Sequence, residues 1–369
     1  MLRVLTISSD RNLFKKNSAV RRRAIQYSAL SDEYYAIVFS TADLGLKLQK
    51  IARNAWIIPT NSKNRWHYVF DALKIGKKMS GIDVASSQDP FESGWVAWKL
   101  SKFFKSALQI QIHTDFGSSH FRSNLLNRLR LLIARIVLPK ADIIRVVSIR
   151  AKKALKKYKI KARVVVLPIF VDINQIRNEN PNFDLHKKFK NFNRIILMVS
   201  RLQKEKDVGL AIDVFKAVSE AKADVALVIV GDGSERKNLE AKVRNFGLEK
   251  KVFFEGWQSD ILSYYKTADV YLSTSLYEGY GLSLVEALAS GLPVVTTDVG
   301  IAGDYVLGNI NALVCSPGDS ECIERALKRI LSDDKLREKL RAGATTISDK
   351  FFPRGEYDYL EKYRQAWIK

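Results

Sequence analysis

Residues 275–295, SLYEGYGLSLVEALASGLPVV, run from an apolar segment through a glycine-rich turn into a helical pattern and a second apolar segment. This order predicts strand, turn, helix and strand. Gly279 and Gly281 would let the backbone approach a ligand closely, and a helix that begins near Leu282 would direct free N–H groups and the positive end of its dipole at an anion. The segment therefore predicts a phosphate site at the start of this helix.

The same segment carries two carboxylates, Glu278 in the turn and Glu286 eight residues later in the helix. Both can face the crevice at the end of the strand. Carboxylates beside an anion site are consistent with a ligand that also offers neutral hydroxyl groups, because carboxylates accept hydrogen bonds from hydroxyls while N–H groups hold phosphates. A sugar and a ribose are the expected donors of those hydrogen bonds.

Short apolar runs alternate with helical patterns along the whole chain, which is typical of parallel sheets built from strand–helix–strand units. We therefore predict an α/β fold with two doubly wound domains, whose ligands bind beyond the carboxyl ends of the strands. The predicted strands are Val4 to Ser8, Tyr35 to Phe39, Trp56 to Pro59, Asp83 to Ser87, Leu108 to His113, Ile143 to Ser148 and Val164 to Leu167, then Ile195 to Val199, Val225 to Val230, Val252 to Phe254, Val270 to Thr274, Pro293 to Thr296 and Ala312 to Cys315.

The domain boundary is predicted near residue 172. The polar, turn-prone stretch from Asp172 to Asn193 is expected to connect a first domain, 1–172, to a second, 173–351. Residues 352–369 predict one amphipathic helix with an apolar stripe. That helix could pack on its own domain or return to the first one, and its periodicity leaves both arrangements open.

Composition and charge narrow the class of protein. With 369 residues, 47% apolar and 27% charged, the chain is long enough for two packed domains and is not a disordered or low-complexity protein. Residues 1–190 hold 36 Lys and Arg against 13 Asp and Glu, whereas residues 191–369 hold 25 against 26. The excess positive charge therefore lies in one half, which indicates a contact with an anionic lipid surface, a phosphorylated substrate or nucleic acid.

The location of the protein is predicted from its cysteines and apolar segments. Only Cys315 and Cys322 occur, so we expect no disulfide framework and a reduced, cytoplasmic compartment. The first apolar run is too short for a signal sequence, and the longest one, Leu125 to Leu138, contains three arginines. We expect no membrane-spanning segment.

Several motifs in the second half of the chain resemble those of a known family. Glu278 and Glu286 match the E-x7-E signature of the retaining glycosyltransferases of family 4 (group 1). Residues 199–206, VSRLQKEK, resemble the family's basic loop, 230–235, VGDGSE, its glycine turn, and 298–300, DVG, a further turn. The resemblance implies a GT-B fold, in which two Rossmann-like domains face a central cleft and the second domain binds a nucleotide-sugar donor.

The resemblance also implies roles for individual residues. Arg201 and Lys206 would hold the donor diphosphate and stabilise the charge that develops on it, with no metal and no cofactor, unless they form only surface ion pairs with Glu205 or Asp207. Glu278 would bind the hydroxyls of the donor sugar and Glu286 those of the ribose. The other predicted donor-binding residues are Gly231, Gly233, Gly279, Tyr280, Gly281, Leu282 and Trp257, the last either beside the nucleobase or packed in the core or its rim. The family usually has glycine where this chain has Asp207.

Candidates in the first half lie where predicted strands end. His113 follows a buried strand and would act near the donor sugar, unless it only caps the strand. The loop after the first strand lacks the Gly-Gly pair of many relatives, which places acceptor binding there in doubt. The acceptor-side candidates are Asp10, Ser18, Arg21 and Asp115. The alternative is a helix or turn cap for Asp115 and a merely solvated side chain for Arg21.

We therefore predict a retaining, metal-independent glycosyltransferase that moves a sugar from a UDP- or GDP-sugar to a glycan or lipid-linked acceptor in cell-surface polysaccharide synthesis. The basic first half, including the lysine-rich stretch 150–161, would contact anionic lipid at the inner membrane face. A soluble synthase of a small sugar or a storage glucan is the alternative enzyme. A nucleic-acid-binding module is a third reading, although no recognition-helix, RNA-binding or zinc signature is present, and we expect no nucleic acid partner.

Overall fold

A computed structural model describes residues 1–351 and 355–367 and divides the chain into two compact units. The first comprises Met1–Pro168 with Gly355–Lys369, and the second Ile169–Arg354. The boundary lies four residues before the predicted one. The stretch from Asp172 to Asn193, predicted to be a connection, belongs to the second unit and carries two short helices.

The first unit is built on an eight-stranded sheet within the described residues. Its order is β3-β4-β2-β1-β5-β6-β7-β8, and every pair except β3 with β4 is parallel. The strands are β1 (Arg3–Ser8), β2 (Glu33–Val38), β3 (Gln49–Ala52), β4 (Ala55–Pro59), β5 (Val84–Ser87), β6 (Ala107–Ile112), β7 (Ile143–Val146) and β8 (Arg163–Val166).

Among the described residues, six helices of the first unit surround this sheet in addition to the C-terminal helix described below. They are α1 (Ala19–Ser28), α2 (Tyr68–Gly76), α3 (Glu92–Phe104), α4 (Ser119–Arg122), α5 (Leu125–Val137) and α6 (Ile149–Ala154). Helix α3 packs against β1, β5 and β6, and also against α2 on one side and α5 on the other. Among the described residues, no helix combines the length and apolar character that crossing a bilayer requires.

Strand β3 was not predicted. It reads Gln-Lys-Ile-Ala, with no apolar run, because it lies at the edge of the sheet and pairs only with β4, antiparallel. Edge strands are half solvated and commonly carry charge that discourages further pairing. The strands predicted from apolar runs are all present in the first unit, where most are buried on both faces.

The second unit contains a six-stranded parallel sheet in the order β11-β10-β9-β12-β13-β14 within the described residues. Counted along the unit this is 3-2-1-4-5-6, the Rossmann order. The strand order therefore reverses between β9 and β12, which is the topological switch point of the sheet. The strands are β9 (Arg194–Val199), β10 (Val225–Val230), β11 (Val252–Gly256), β12 (Val270–Ser273), β13 (Val294–Thr297) and β14 (Ala312–Cys315). The predicted doubly wound α/β architecture is confirmed for both units.

The helices of the second unit enclose its sheet from both sides. They are α7 (Ile173–Asn178), α8 (Leu185–Lys188), α9 (Val208–Ala221), α10 (Arg236–Asn245), α11 (Ile261–Thr267), α12 (Leu282–Ala289), α13 (Ser320–Ser332) and α14 (Asp334–Phe351). Their apolar stripes bury residues such as Phe215 and Leu327 in one core that also contains Leu227 of β10. This core fixes the ends of β9, β10 and β12, where the candidate site lies.

The two cysteines form a disulfide, contrary to the prediction of no disulfide framework. Cys315 ends β14 and Cys322 lies in the first turn of α13, so the short loop between them brings their Cα atoms to 5.8 Å. This separation is within the ordinary range for a disulfide. Counting cysteines could not show that a strand end and a helix start would face each other.

The C-terminal helix α15 (Glu356–Gln365) packs on the first unit, which settles the two arrangements left open by its sequence. The rings of Tyr363 and Tyr27 stack with their centroids 3.9 Å apart, and Tyr359 and Trp367 are fully buried. The predicted stripe therefore covers the first sheet. Residues 352–354 and 368–369 of the predicted helix lie outside the described residues.

Replacing Trp367 with alanine should lower the free energy of unfolding by about 3–5 kcal/mol, because it removes a large buried side chain and leaves a cavity that the surrounding residues cannot close. Tyr357→Ala, at an exposed position of the same helix, is the matched control and should change it by less than about 0.5 kcal/mol. Urea unfolding followed by circular dichroism measures both. Equal effects of the two substitutions would show that α15 is not packed as described.

Candidate active site

The candidate site of the second unit lies at the topological switch point between β9 and β12. A small recess, with a cavity volume of about 10 Å³, opens at the carboxyl ends of these strands. It is lined by Met198, Val199, Ser200, Lys206, Tyr271, Leu272, Ser273, Thr274, Ser275, Glu278 and Ser283. Two of the predicted catalytic residues, Lys206 and Glu278, therefore share one recess.

Lys206 and Glu278 form an ion pair in this recess. The Lys206 ammonium contacts Glu278 Oε1, and Ser275 Oγ donates to the same oxygen at 3.1 Å. Both side chains are mostly buried, with 12% and 19% of their surfaces exposed. Thr274 Oγ1 donates to the carbonyl oxygens of Lys206 and Asp207 at 3.0 and 2.9 Å, so β12 holds the loop that carries the lysine.

Arg201 follows β9 in the same loop but is far more exposed. Its guanidinium donates to Glu205 Oε1 at 3.2 Å, and 74% of the Arg201 side chain is accessible to solvent. This is the surface ion pair considered as the alternative for Arg201, and such a pair contributes little to stability. Arg201 can therefore turn toward an anion in the crevice at small cost.

Glu286 projects from α12 toward α11. Tyr265 Oη donates to Glu286 Oε2 at 3.0 Å, and burial together with the Glu286 charge raises the pKa of Tyr265 well above its usual value. Tyr265 thus remains a hydrogen-bond donor at neutral pH and orients the carboxylate. No sequence pattern singled out Tyr265, which lies 21 residues earlier on another helix.

Tyr271 forms the floor of the recess. Its hydroxyl lies 2.8 Å from Ser283 Oγ in the first turn of α12 and 3.3 Å from the Val199 carbonyl oxygen. These contacts join the ends of β9 and β12 to the start of α12. The polar residues that predicted an anion site are thereby held on rigid elements rather than on free loops.

Gly231 and Gly233 are explained by the packing of two loops. A Cβ on Gly231, whose φ is +134°, would lie 1.9 Å from the Ser200 carbonyl oxygen, and one on Gly233 would lie 2.2 Å from that of Leu202. The Leu202 N–H also donates to the Asp232 carbonyl oxygen at 2.9 Å. The glycine turn after β10 therefore supports the loop that carries Arg201, in addition to any contact with a ligand.

The backbone conformation at Asp207 accounts for the glycine that the family usually has at this position. It adopts a left-handed conformation, φ 46° and ψ 46°, between the short 3-10 helix Lys204–Lys206 and α9. Glycine takes this conformation freely, while aspartate is one of the few other residues that tolerate it. The substitution therefore preserves the backbone path that positions Lys206.

The remaining donor-side candidates lie around the turn before α12 and after β11. Gly281 is left-handed at the start of α12, with φ +93°, and Leu282 begins the helix. Tyr280 is buried, and its carbonyl oxygen accepts the Ile301 N–H at 3.2 Å. Gly279 precedes it in the same turn. Trp257 follows β11 with its side chain largely exposed, which excludes the core packing considered for it.

His113 follows β6 in the first unit, and its tautomer is set by a buried network. Arg145 Nη1 donates to Gln111 Oε1 at 3.0 Å, and His113 Nε2 lies 3.1 Å from the same oxygen. Because that oxygen can only accept, the neutral imidazole carries its proton on Nε2 and leaves Nδ1 as an acceptor. Burial, with the positive charges of Arg145 and Arg23, lowers the pKa of His113 to about 3.

Arg145 lies fully buried on β7, and sequence reasoning did not single it out. Its guanidinium donates to the Pro168 carbonyl oxygen at 3.1 Å and to Tyr359 Oη at 3.0 Å, and lies over the Tyr363 ring at 4.7 Å. An arginine inside an otherwise apolar strand, Ile-Ile-Arg-Val, was the available signal. Its partners on α15, more than 200 residues away, were not predictable.

The acceptor-side candidates all take part in local structure. Asp10 accepts the Asn12 N–H at 2.9 Å, Ser18 the Arg21 N–H at 3.1 Å, and Asp115 the Gly117 N–H at 3.0 Å, so each caps a turn or helix. The Arg21 guanidinium donates to Gln49 Oε1 at 2.6 Å. The structure thus shows for Asp115 the turn cap that was its alternative, while Arg21 is hydrogen-bonded to β3 rather than merely solvated.

Asp89 is a titratable group two residues beyond the carboxyl end of β5. Its carboxylate accepts the Phe91 N–H at 2.8 Å near the start of α3. Burial raises the pKa of Asp89 to about 6, despite this hydrogen bond. A buried carboxylate beside a strand end is a common feature of functional sites. Within the described residues, no group of three or more His, Cys, Asp or Glu side chains is arranged to hold a metal ion.

Two protein families match the chain, one in each half. Residues 182–346 match the family described as Glycosyl transferases group 1, and residues 29–175 match Glycosyltransferase Family 4. The 2-deoxystreptamine glucosyltransferase of Streptomyces kanamyceticus is 32% identical over 42% of this chain and 41% of its own length. The alpha-monoglucosyldiacylglycerol synthase of Streptococcus pneumoniae is 27% identical over 61% and 53%. The match thus spans about half or less of these relatives.

A solved structure resembles the chain over nearly its whole length. The Anabaena protein Alr3699/HepE in complex with UDP and glucose is 19% identical, covers 99% of this chain and 98% of its own, and gives a TM-score of 0.78. This likeness confirms the predicted GT-B fold.

Gly231→Ala should lower the free energy of unfolding by about 2–5 kcal/mol, because its Cβ would collide with the Ser200 backbone at a strained φ. Gly247→Ala is the matched control, since Gly247 is also left-handed but has open space around it, and should cost about 1 kcal/mol. Urea unfolding measures both. Similar losses would mean that backbone conformation alone requires glycine at 231.

His113 should make stability fall with acid. Because its folded-state pKa lies below its unfolded value, the unfolded chain binds a proton first, and the free energy of unfolding should decrease by up to about 1.4 kcal/mol per pH unit from about pH 6.5 toward pH 3. His113→Gln should remove that component of the slope, whereas His67→Gln at an exposed position should not. Urea unfolding across this pH range measures the slopes, and an unchanged slope in His113→Gln would contradict the assignment.

Proposed function

Because the chain belongs to the group 1, family 4 glycosyltransferases, we propose that it is a retaining, metal-independent enzyme that transfers a sugar from a nucleotide sugar to a glycan or lipid-linked acceptor. The observation that carries this proposal is the Lys206–Glu278 ion pair in the recess between β9 and β12. The pair places Lys206, the cation that would bind a diphosphate, next to Glu278, the carboxylate that would bind the hydroxyls of a sugar.

Arg201 and Lys206 hold the donor diphosphate. They lie on one loop, where Lys206 is mostly buried and Arg201 is exposed and can move. A diphosphate that enters the recess offers Lys206 a second anionic partner, and a partly buried site strengthens their attraction relative to water. The start of α12 adds free N–H groups and a positive dipole end.

Glu278 and Glu286 accept hydrogen bonds from hydroxyl groups of the donor. Glu278, freed in part from Lys206, takes the hydroxyls of the sugar. Glu286, oriented by Tyr265, takes those of the ribose, which UDP and GDP share. The pairing therefore favours a nucleoside diphosphate sugar over a sugar phosphate without a nucleoside.

The transfer proceeds on one face of the sugar. The bond between the anomeric carbon and the diphosphate oxygen breaks, and the acceptor hydroxyl oxygen forms the new bond to the same carbon from the same side. The acceptor proton passes to the leaving diphosphate oxygen, whose negative charge Arg201 and Lys206 stabilise. His113, neutral and with Nδ1 free of a proton, accepts a hydrogen bond from the donor sugar.

The acceptor class is supported by charge and by relatives. One relative is named as a synthase of a glucosylated diacylglycerol and another as a glycosyltransferase of capsular polysaccharide biosynthesis. The first 190 residues carry the whole positive excess of the chain, which favours an acceptor that bears phosphate or lies in an anionic membrane. We therefore place the reaction in cell-surface polysaccharide or glycolipid synthesis.

Lys206→Met should lower turnover of the accepted donor by about 100-fold or more, because the leaving diphosphate loses a buried positive charge. Lys204→Met, an exposed lysine two residues away on the same 3-10 helix, is the matched control and should leave turnover unchanged. Donor choice is first determined from thermal shifts with UDP, GDP and their sugars. Turnover is then followed as nucleotide release, and the anomer formed is read by NMR.

Two outcomes would contradict the proposal. Absence of a thermal shift with every nucleoside diphosphate would exclude the donor class. An inverted product would exclude transfer on one face of the sugar.

A further inference from the structure

Helix α5 exposes an apolar stripe to solvent. Leu125, Leu129, Leu132 and Ile136 follow one another at intervals of three or four residues, so they share one face of the helix. With Leu126 beside them, between 46% and 71% of each side chain is exposed. Large side chains in a continuous exposed stripe are typical of a contact surface, whereas single exposed leucines are not.

Arginines border this stripe. Arg122, Arg128 and Arg135 line a surface hollow together with Leu129 and Leu132. Among the described residues, no carboxylate lies within salt-bridge distance of these three arginines. Arg130, on the inner side of α5, instead pairs with Glu92 of α3 at 3.0 Å and holds α5 in place.

A second exposed apolar group lies in the same helix layer. Trp66, just before α2, and Phe70, in its first turn, are 90% and 66% exposed. Helix α2 packs beside α3, and α3 beside α5. Because crossover helices in a parallel sheet run opposite to the strands, Trp66, Phe70 and the first turns of α5 all lie at the carboxyl end of the sheet.

We propose that this face docks on an anionic lipid bilayer. It is named here the leucine–arginine face and comprises Leu125, Leu126, Leu129, Leu132 and Ile136 with Arg122, Arg128 and Arg135, flanked by Trp66 and Phe70. The apolar side chains enter the boundary between headgroups and acyl chains, and the guanidinium groups contact lipid phosphates. A tryptophan at the rim suits the same interface.

The charges favour a lipid surface over a second copy of the chain. A symmetric dimer would place the three arginines of one copy against the same three of the other, and in the described part of the chain none of them has a salt-bridge partner to offset that repulsion. An anionic bilayer instead offers negative charge over the whole face. The inference concerns where the enzyme works and is independent of how the donor is bound.

Binding to vesicles tests the proposal. The full chain should float with vesicles of phosphatidylcholine containing about 30% phosphatidylglycerol and should bind much less to pure phosphatidylcholine. Leu129→Ser/Leu132→Ser should weaken binding to the anionic vesicles by about tenfold or more. Leu44→Ser/Leu48→Ser, which removes two exposed leucines elsewhere in the same unit, is the matched control and should change binding less than about twofold.

Charge reversal provides the second arm. Arg128→Glu/Arg135→Glu should weaken binding by about tenfold or more, whereas Lys152→Glu/Lys157→Glu, with the same change in net charge on the basic stretch 150–161, should weaken it clearly less. If both charge variants lost vesicle binding equally, the protein would be attracted to the membrane by its overall positive charge, and the leucine–arginine face would not be a specific docking surface. A dimer in sedimentation velocity that Leu129→Ser/Leu132→Ser dissociates would overturn it in favour of self-association.

The readout also separates this inference from the proposed function. Thermal shifts with UDP and GDP are recorded for every variant, and all should match the unmodified chain. Loss of vesicle binding with retained nucleotide binding supports the face. A chain that binds nucleotide but ignores anionic vesicles overturns the face and leaves the proposed donor chemistry standing.

Discussion

The ion pair between Lys206 and Glu278 is the interaction on which the candidate site depends. It joins the loop after β9 to the loop after β12. The two residues are 72 positions apart in sequence, but their loops are neighbours because β9 and β12 lie side by side at the topological switch point of the sheet. Removing either partner would leave a mostly buried charge unpaired, which is costly. In the proposed reaction a diphosphate and a sugar would replace this mutual contact, and the ion pair already holds Lys206 and Glu278 in one recess.

The surroundings of the pair are built to keep its backbone in place. Thr274 holds the carbonyl groups of the lysine and of the next residue, Asp207, while Gly231 and Gly233 allow the neighbouring loop to approach the backbone of Ser200 and Leu202. These glycines read in sequence as ligand contacts. In the structure they first serve the contact between two loops, which is why a side chain at either position would displace the cations indirectly.

The sequence predicted what depends on local pattern and failed where distant residues meet. Apolar runs predicted every strand buried on both faces, but not β3, whose polar edge has no such run. The spacing of Glu278 and Glu286 indicated the recess, whereas Tyr265, which orients Glu286, had no pattern of its own. The cysteine count suggested no disulfide framework, yet Cys315 and Cys322 are paired, because pairing depends on where β14 ends and α13 begins.

The C-terminal helix shows how far such distant contacts reach into the chemistry. Arg145 is buried on β7 and is solvated by neutral groups, two of which, Tyr359 and Tyr363, are supplied by α15. The same guanidinium fixes the amide of Gln111, which in turn fixes the proton of His113. A buried charge needs such partners to remain stable. The end of the chain therefore completes the first unit and also determines which nitrogen of His113 can accept a hydrogen bond.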